Sequence, residues 1–345
     1  MLTINCDRNL TKKEARILSM GARKAIVVRE FGGPEVLKLE DIHESKPRPG
    51  QVLVQIHAAG VNPVDTYIRS GTYTIKPELP YTPGSDISGI VKSVGENVTG
   101  FKPGDRVYSD GVDPGSGAYA QIATWKASHL YPLPDQVSFS QGAALGIPYA
   151  TAWRALFNRA CAKAGETILI HGASGGVGVA AVQLAKAHKL NIIGTAGTDE
   201  GRDLIVAQGA HFSLNHNSPD YASELNELTD GNGVDVVLEM LANVNLDRDL
   251  DFLTKRGRVV IIGNRGRTEI DPRKAMAKDA TILGMTLFNT TPDELTSIHT
   301  ELISGLQSGV LQPVIARELP LADAHLAHIH QLEPGAHGKI VLIPM

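Results

Sequence analysis

The chain has little cysteine: its 345 residues contain two, Cys6 and Cys161. Two cysteines cannot build a disulfide framework or a multi-cysteine zinc site, and they predict a reducing, cytoplasmic setting. Long apolar runs are missing as well. None approaches the roughly 18 residues that a membrane helix needs, so no membrane partner is expected. Basic charge is not in excess: Lys+Arg 33 against Asp+Glu 37 gives a formal net charge of −4, without a Lys/Arg cluster. That leaves no electrostatic footprint for RNA or an anionic surface.

What is there is ordinary globular material, 42% hydrophobic and long enough for two domains with their own cores. Residues 1–22 mix Lys12, Lys13 and Arg16 with Asp7 and Glu14. Transit peptides avoid acidic residues, so this segment reads as a disordered extension or an upstream start. From Lys24 to about Leu133, short Val/Ile-rich runs such as Val52–Ala58 and Ile87–Val94 are cut by Gly/Pro clusters. Short strands at that spacing predict a small β-barrel. Gln141–Ala162 is Ala-rich, with Pro148 set to start a new helix.

From residue 165 the chain alternates. Apolar runs at 167–171, 191–195, 211–214, 234–239, 258–263 and 281–287 are separated by segments of helical period. The fold class is therefore α/β: a doubly wound parallel sheet in the order 3-2-1-4-5-6 beside the β-barrel. Helices are expected at Pro292–Ser308 and Leu321–Gln331. A last strand at Gly338–Leu342 should rejoin the first half.

The first strand of that alternation breaks into His171-Gly172-Ala173-Ser174-Gly175-Gly176-Val177-Gly178 and then a helix. Glycines between a strand and a helix bring bare N–H groups and a partial positive charge up to a diphosphate. A strict GxGxxG is absent, but the position inside a six-strand alternation points to a dinucleotide. Gly175 and Gly176 would let the backbone touch the diphosphate, and Gly178 would let the helix pack on the strands.

A carboxylate is also absent where NAD enzymes of this architecture hold the ribose 2′-hydroxyl, at the end of the second strand. Residues 192–198 read Ile-Ile-Gly-Thr-Ala-Gly-Thr. A carboxylate would repel a 2′-phosphate, so this stretch suits NADP(H). Arg202 and His216 are the nearest groups to pair with that phosphate. Arg202 reads equally as a solvated helix charge, and His216 as a surface histidine.

Several motifs are family-specific. They are Gly165-Glu166 with Ala173-Ser174-Gly175-Gly176-x-Gly178, Gln183 and Lys186 behind it; the run from Gly60 to Tyr73, GVNPVDTYIRSGTY; and Tyr81–Asp86, Glu239–Leu246 and Gly338-Lys339-Ile340. Together they resemble the quinone oxidoreductases and zeta-crystallins of the medium-chain dehydrogenase/reductase superfamily, from about residue 24 to the end. The resemblance implies a GroES-like catalytic domain over 23–147, rejoined by 288–345, and a Rossmann NADP-binding domain over 148–287. It implies NADPH as cofactor, quinones as acceptors with ortho-quinones expected, and a homo-oligomer, dimer or tetramer. One-electron steps stay open beside two-electron transfer.

Residue roles follow by position in the resemblance. Asn62 stands where zinc relatives carry a Cys and would offer its amide to cofactor or acceptor. Tyr67 matches a cofactor-contacting tyrosine, and Tyr73 could stack on a ring or donate its hydroxyl. From the residues alone, barrel packing is the commoner role for both tyrosines, and the resemblance sets Tyr67 apart as a cofactor contact. Arg69 could pair with an acceptor oxygen or with Asp65. Ser174, Gly175, Gly176 and Val177 would bind the diphosphate, and Gly197 and His216 would flank the adenosine end. Asn245, Ile262, Gly263, Asn264, Arg265, Met285, Thr286 and Leu287 would line the nicotinamide side.

Zinc ligands are the last absence. Asn62, Ser85 and Asp86 stand where zinc relatives carry Cys and His-Glu, and the four-Cys cluster has no counterpart. Zinc needs thiolate or imidazole ligands in a tetrahedral set, so no metal is expected. His325, His328 and His330 read as a solvated helix face. Without a Lewis acid the acceptor must itself be electrophilic, as quinones and enones are. An enone or alkenal reductase is the alternative within this class. A structural or AU-rich RNA-binding protein is the alternative outside it, and the charge does not support RNA.

Overall fold

The alternation that starts at residue 165 becomes a six-stranded parallel sheet in the expected order 3-2-1-4-5-6. Its strands are Thr167–Ile170, Asn191–Ala196, Phe212–Asn215, Val234–Glu239, Leu253–Ile261 and Thr281–Gly284. The structure is a computed structural model and describes residues 22–112, 117–335 and 337–344. The expected extension over 1–22 lies outside them, apart from Ala22, which opens the first strand. Central strands read as unbroken apolar runs because helices cover both faces. Ile168, Leu169, Ile170, Val236, Val237 and Leu238 are all fully buried.

Helix Gly176–Ala187 is buried nearly all round, from Gly178 to Ala185. Its alanines let it lie between the sheet and helix Gly146–Trp153, where Pro148 sits in the first turn. Gln183, buried at its centre, accepts from Tyr149 Oη at 2.8 Å and from the Gln312 N–H at 2.9 Å, and donates to the Gln312 carbonyl at 2.8 Å. The family-specific glutamine thus ties the cofactor-side helix to the tail.

The first half holds a seven-stranded sheet built around Gln51–Val61, which pairs with Asp86–Val94, Ile122–Lys126 and Lys339–Ile343. A two-stranded sheet, Ala22–Val27 with Lys38–His43, closes over it through single bridges. The last strand does return here: Ile340 pairs with Val61, Val341 with Gly60 and Leu342 with Ala59. The segment after 288 runs between the two halves before it reaches the first sheet. Helix Pro292–Gln307 keeps Ile298, Leu302 and Leu306 in the cluster that holds Ile168 and Leu238 of the nucleotide sheet and Tyr108 and Leu133 of the first half. The first sheet is rejoined only at Ile315–Pro320. One expectation is corrected at His328. It is fully buried rather than solvated, with Nε2 3.1 Å from Tyr119 Oη and Nδ1 3.4 Å from an Arg69 nitrogen. Arg69 therefore pairs with this histidine rather than with Asp65.

A Cβ on Gly178 would lie 2.5 Å from Ala173 Cα and strike the Gly172 carbonyl. Gly178→Ala should therefore push the helix off the turn and cost about 1–3 kcal/mol, the usual range for overpacking. Urea denaturation reads this directly; an unchanged midpoint would remove the packing role.

Candidate active site

The glycine turn is built as a phosphate cradle. Gly172 sits at φ 55, in the left-handed region that favours glycine. No side chain caps the helix at Gly175, and the Val179 N–H closes its first turn on the Gly175 carbonyl at 2.8 Å. The N–H groups of Gly176, Val177 and Gly178 precede that bond and belong to the first turn, which has no carbonyl behind it to accept them. Ser174 is buried, and its carbonyl accepts the Gly338 N–H at 2.7 Å. Gly338, at φ 106, can pass this close because it has no Cβ; one would lie 2.6 Å from the Val314 carbonyl oxygen.

The next residue, Lys339, enters the heart of the first half. Its ammonium donates to Asn62 Oδ1 and, at 3.2 Å, to Asp86 Oδ2. The Asn62 amide donates to the same Asp86 oxygen at 2.8 Å. Asn62 is 2% exposed. One of the two N–H groups of the amide expected to serve cofactor or acceptor is thus engaged by Asp86, a buried carboxylate that needs partners. Asp65 sits beside this group and accepts the Asn62 N–H at 2.8 Å, fixing the entry to helix Pro63–Arg69. Burial pushes the Asp65 carboxyl up to about 7. Burial also lowers the Lys339 ammonium, against the pull of Asp86. Sequence reading passed over Lys339; the signal available was its place in the closing Gly338-Lys339-Ile340 motif.

Helix Pro63–Arg69 brings Tyr67 to the cleft. Tyr67 Oη accepts from Arg265 Nε at 3.0 Å, which joins two of the predicted cofactor residues across the two halves. Asn243 Oδ1 holds the Arg265 N–H at 2.9 Å. Asn264 folds onto the Gly266 carbonyl at 2.7 Å, and Gly263 packs against the Met240 backbone, where a Cβ would collide. Ile262 and Gly263 both donate to the Glu239 carbonyl. Tyr73 lies edge-on to Phe288, with centroids 6.3 Å apart. Met285 continues the last strand's line by donating to the Ile261 carbonyl at 3.0 Å, and the Thr286 carbonyl accepts from Arg154 at 3.0 Å. Leu287 turns inward and joins the core.

At the other end, Gly197 faces His216 and Asn217. A Cβ on Gly197 would come within 3.0 Å of His216 Nε2 and 2.8 Å of Asn217 Nδ2, a cradle that only glycine leaves open. Arg202 is paired with Asp199 on its own helix, which favours the solvated-charge reading. The tail again supplies an unforeseen group: His337 Nε2 lies 3.0 Å from Thr198 Oγ1, the residue that caps the helix after strand two. The cradles at both ends fit a dinucleotide.

Beneath the turn, His171, Glu239 and Asp249 form a buried trio with ligand atoms within 4.8 Å of one another, the one such group among the described residues. Burial and the neighbouring Asp249 push the Glu239 carboxyl up to about 8, so it keeps its proton at neutral pH. Burial lowers His171, which stays neutral and donates from Nε2 to Asp249 Oδ1 at 2.8 Å. Glu239 Oε1 accepts from the Leu241 N–H and, at 3.3 Å, from Asn245 Nδ2. Asn245, expected toward the nicotinamide, is thus held between Glu239 and Arg248, which donates to its Oδ1 at 3.2 Å.

A pH dependence follows from Glu239. Below its ordinary value of 4.5 both folded and unfolded chains hold the proton. As pH rises toward about 8 only the folded chain still holds it, so stability is lost across that window. Asp65 contributes in the same sense up to about 7. Glu239→Gln mimics the protonated acid and should flatten the fall in thermal midpoint between pH 7 and 8; an equal slope in both proteins would contradict the assignment.

The family model for zinc-binding dehydrogenases matches residues 176–303, and that for the alcohol dehydrogenase GroES-like domain matches residues 48–135. Human quinone oxidoreductase is 50% identical over 324 residues, covering 93% of this chain and 97% of its own. The quinone oxidoreductase of Pseudomonas aeruginosa is 34% identical over 327 residues, covering 93% and 99%. The solved structure of Escherichia coli quinone oxidoreductase complexed with NADPH superposes with a TM-score of 0.84 at 34% identity, over 93% of this chain and 100% of that one. Half of the residues are shared with the human relative along nearly the full length of both chains, and a bacterial relative repeats the architecture. This chain is an oxidoreductase of the quinone oxidoreductase family.

Proposed function

We propose that the protein reduces quinones with NADPH and without zinc. The observation that carries this reading is the Lys339 ammonium, which takes up Asn62 and Asp86 where zinc relatives carry metal-site residues. An amide, the Ser85 hydroxyl and a carboxylate already paired to a lysine make a poor zinc set. The acceptor must therefore be electrophilic without a Lewis acid, and quinones are. NADPH supplies the hydride when bound. The protein's residues hold it and the acceptor in register: the glycine turn at the diphosphate, Gly197 and His216 at the adenosine end, and Tyr67 with Arg265 over the cleft. The missing carboxylate after strand two favours NADPH over NADH. Tyr73, beside Phe288, offers a flat acceptor an aromatic wall and a hydroxyl.

Steady-state loss of nicotinamide absorbance tests this with phenanthrenequinone as ortho-quinone, a para-quinone and an alkenal in parallel, each with NADPH and NADH. The ortho-quinone with NADPH should be fastest, a chelator should change nothing, and Tyr67→Ala should lower affinity for NADPH about tenfold, the size of a lost contact. Activity with the alkenal alone would instead identify an enone reductase. Dismutase-sensitive reduction of cytochrome c in the same assay marks one-electron steps. We also infer a homodimer or homotetramer. Among the described residues, strand Thr281–Gly284 ends its sheet with one partner, and Ile282 and Met276 beside it are exposed. Light scattering should give a multiple of the chain mass; a monomer would end that reading.

A further inference from the structure

Lys339 is 4% exposed, and an ammonium so deeply buried is costly. As a purely structural pair with Asp86 it could be replaced by apolar side chains at little loss. Its position gives it another use. The main chain before it is bonded to the glycine turn: Gly338 bridges Gly175, and its N–H meets the Ser174 carbonyl at 2.7 Å. The Lys339 stem runs along the same turn, with Cδ 3.6 Å from where a Cβ on Gly176 would stand. The main chain after it is pinned to the first half by the pairing of Ile340 with Val61. Asn62 and Asp86 hold the ammonium with two of its three N–H donors.

We propose that Lys339 is a phosphate-binding residue for the cofactor diphosphate, reaching the glycine turn from the β-rich half while Asn62 and Asp86 fix its ammonium in place. This rests on the reading that NADPH is the cofactor. The turn by itself offers only N–H dipoles, worth partial charges. A diphosphate brings full negative charge, and Lys339 is the buried cation next to it. Because the lysine is rooted in the strand paired with Val61, its contact would also tie the cofactor to the half that carries Tyr67. Asn62 and Asp86 then act as positioning residues: they reach the cofactor through the lysine.

The test is binding, not turnover. Lys339→Met alone would strand a buried Asp86 and could unfold the protein. The comparison is therefore Asp86→Asn against the double variant Asp86→Asn with Lys339→Met, in which neither buried charge remains. Thermal melts confirm that both fold. Affinity is read by fluorescence titration with NADPH and by calorimetry with 2′-phospho-ADP-ribose, an unreactive probe carrying the diphosphate. Adenosine 2′-phosphate, which lacks the diphosphate, is the control. The double variant should bind both diphosphate ligands about tenfold more weakly than Asp86→Asn, ~1.4 kcal/mol. Its affinity should also fall less steeply with salt, and adenosine 2′-phosphate should bind both variants alike. Equal affinities and equal salt slopes for the diphosphate ligands would overturn the proposal. Failure of the unaltered protein to bind NADPH would overturn the cofactor reading instead, and is seen before any variant is made.

Discussion

The contact between residue 338 and the glycine turn organises this molecule. A strand that belongs to the first sheet donates its Gly338 N–H to Ser174, inside the loop that cradles the diphosphate. One residue later the chain enters the pairing with Val61 and Gly60. The two sheets are thus joined at the point where the cofactor would lie. That demands glycine at 338, for the positive φ and the close pass to Val314, and a small residue at 60, where a Cβ would meet Lys339 Cε at 2.8 Å.

Two buried polar groups flank this contact and solve the same problem differently. Under the turn, Glu239 and Asp249 lie together with a neutral histidine, and a retained proton avoids a second buried negative charge. In the first half, Asp86 is paired with Lys339, while burial raises Asp65 toward neutrality. The first arrangement is a proton held between acids and makes the nucleotide half sensitive to rising pH. The second buries a lysine beside the glycine turn, paired to Asp86 and Asn62.

The layout of the fold was largely legible in the sequence. Strands such as Thr167–Ile170 and Val234–Glu239 are apolar runs bounded by turn residues, and the six-strand order follows from right-handed crossovers between helices. The site was legible where chemistry and backbone coincide: the glycines at 175, 176 and 178, and Gly197 against His216. It was less legible where a side chain chooses among partners. Asn62 reads as a free amide until Asp86, 24 residues on, and Lys339, near the other end of the chain, are folded against it. His328 sits in a run of histidines that looks solvated, and only the packing of its helix on Tyr119 and Arg69 buries it. Helix Pro292–Gln307 has one apolar face that would serve either half; the tertiary fold packs it against both, with Tyr108 and Leu133 as well as Ile168 and Leu238 in its cluster.

The sequence by itself determined the dinucleotide turn, the carboxylate-free second strand and the lack of thiolate and imidazole ligands at the metal position. These are properties of residue type at short spacing, so no folding is needed to read them. The tertiary structure decided what fills that position and how the halves meet. Lys339 and Asn62 are 277 residues apart, and a hydrogen bond over that separation is set by which strand pairs with Gln51–Val61, not by any local pattern. The same holds for Tyr67 and Arg265, 198 residues apart, whose bond depends on the closure of one half on the other.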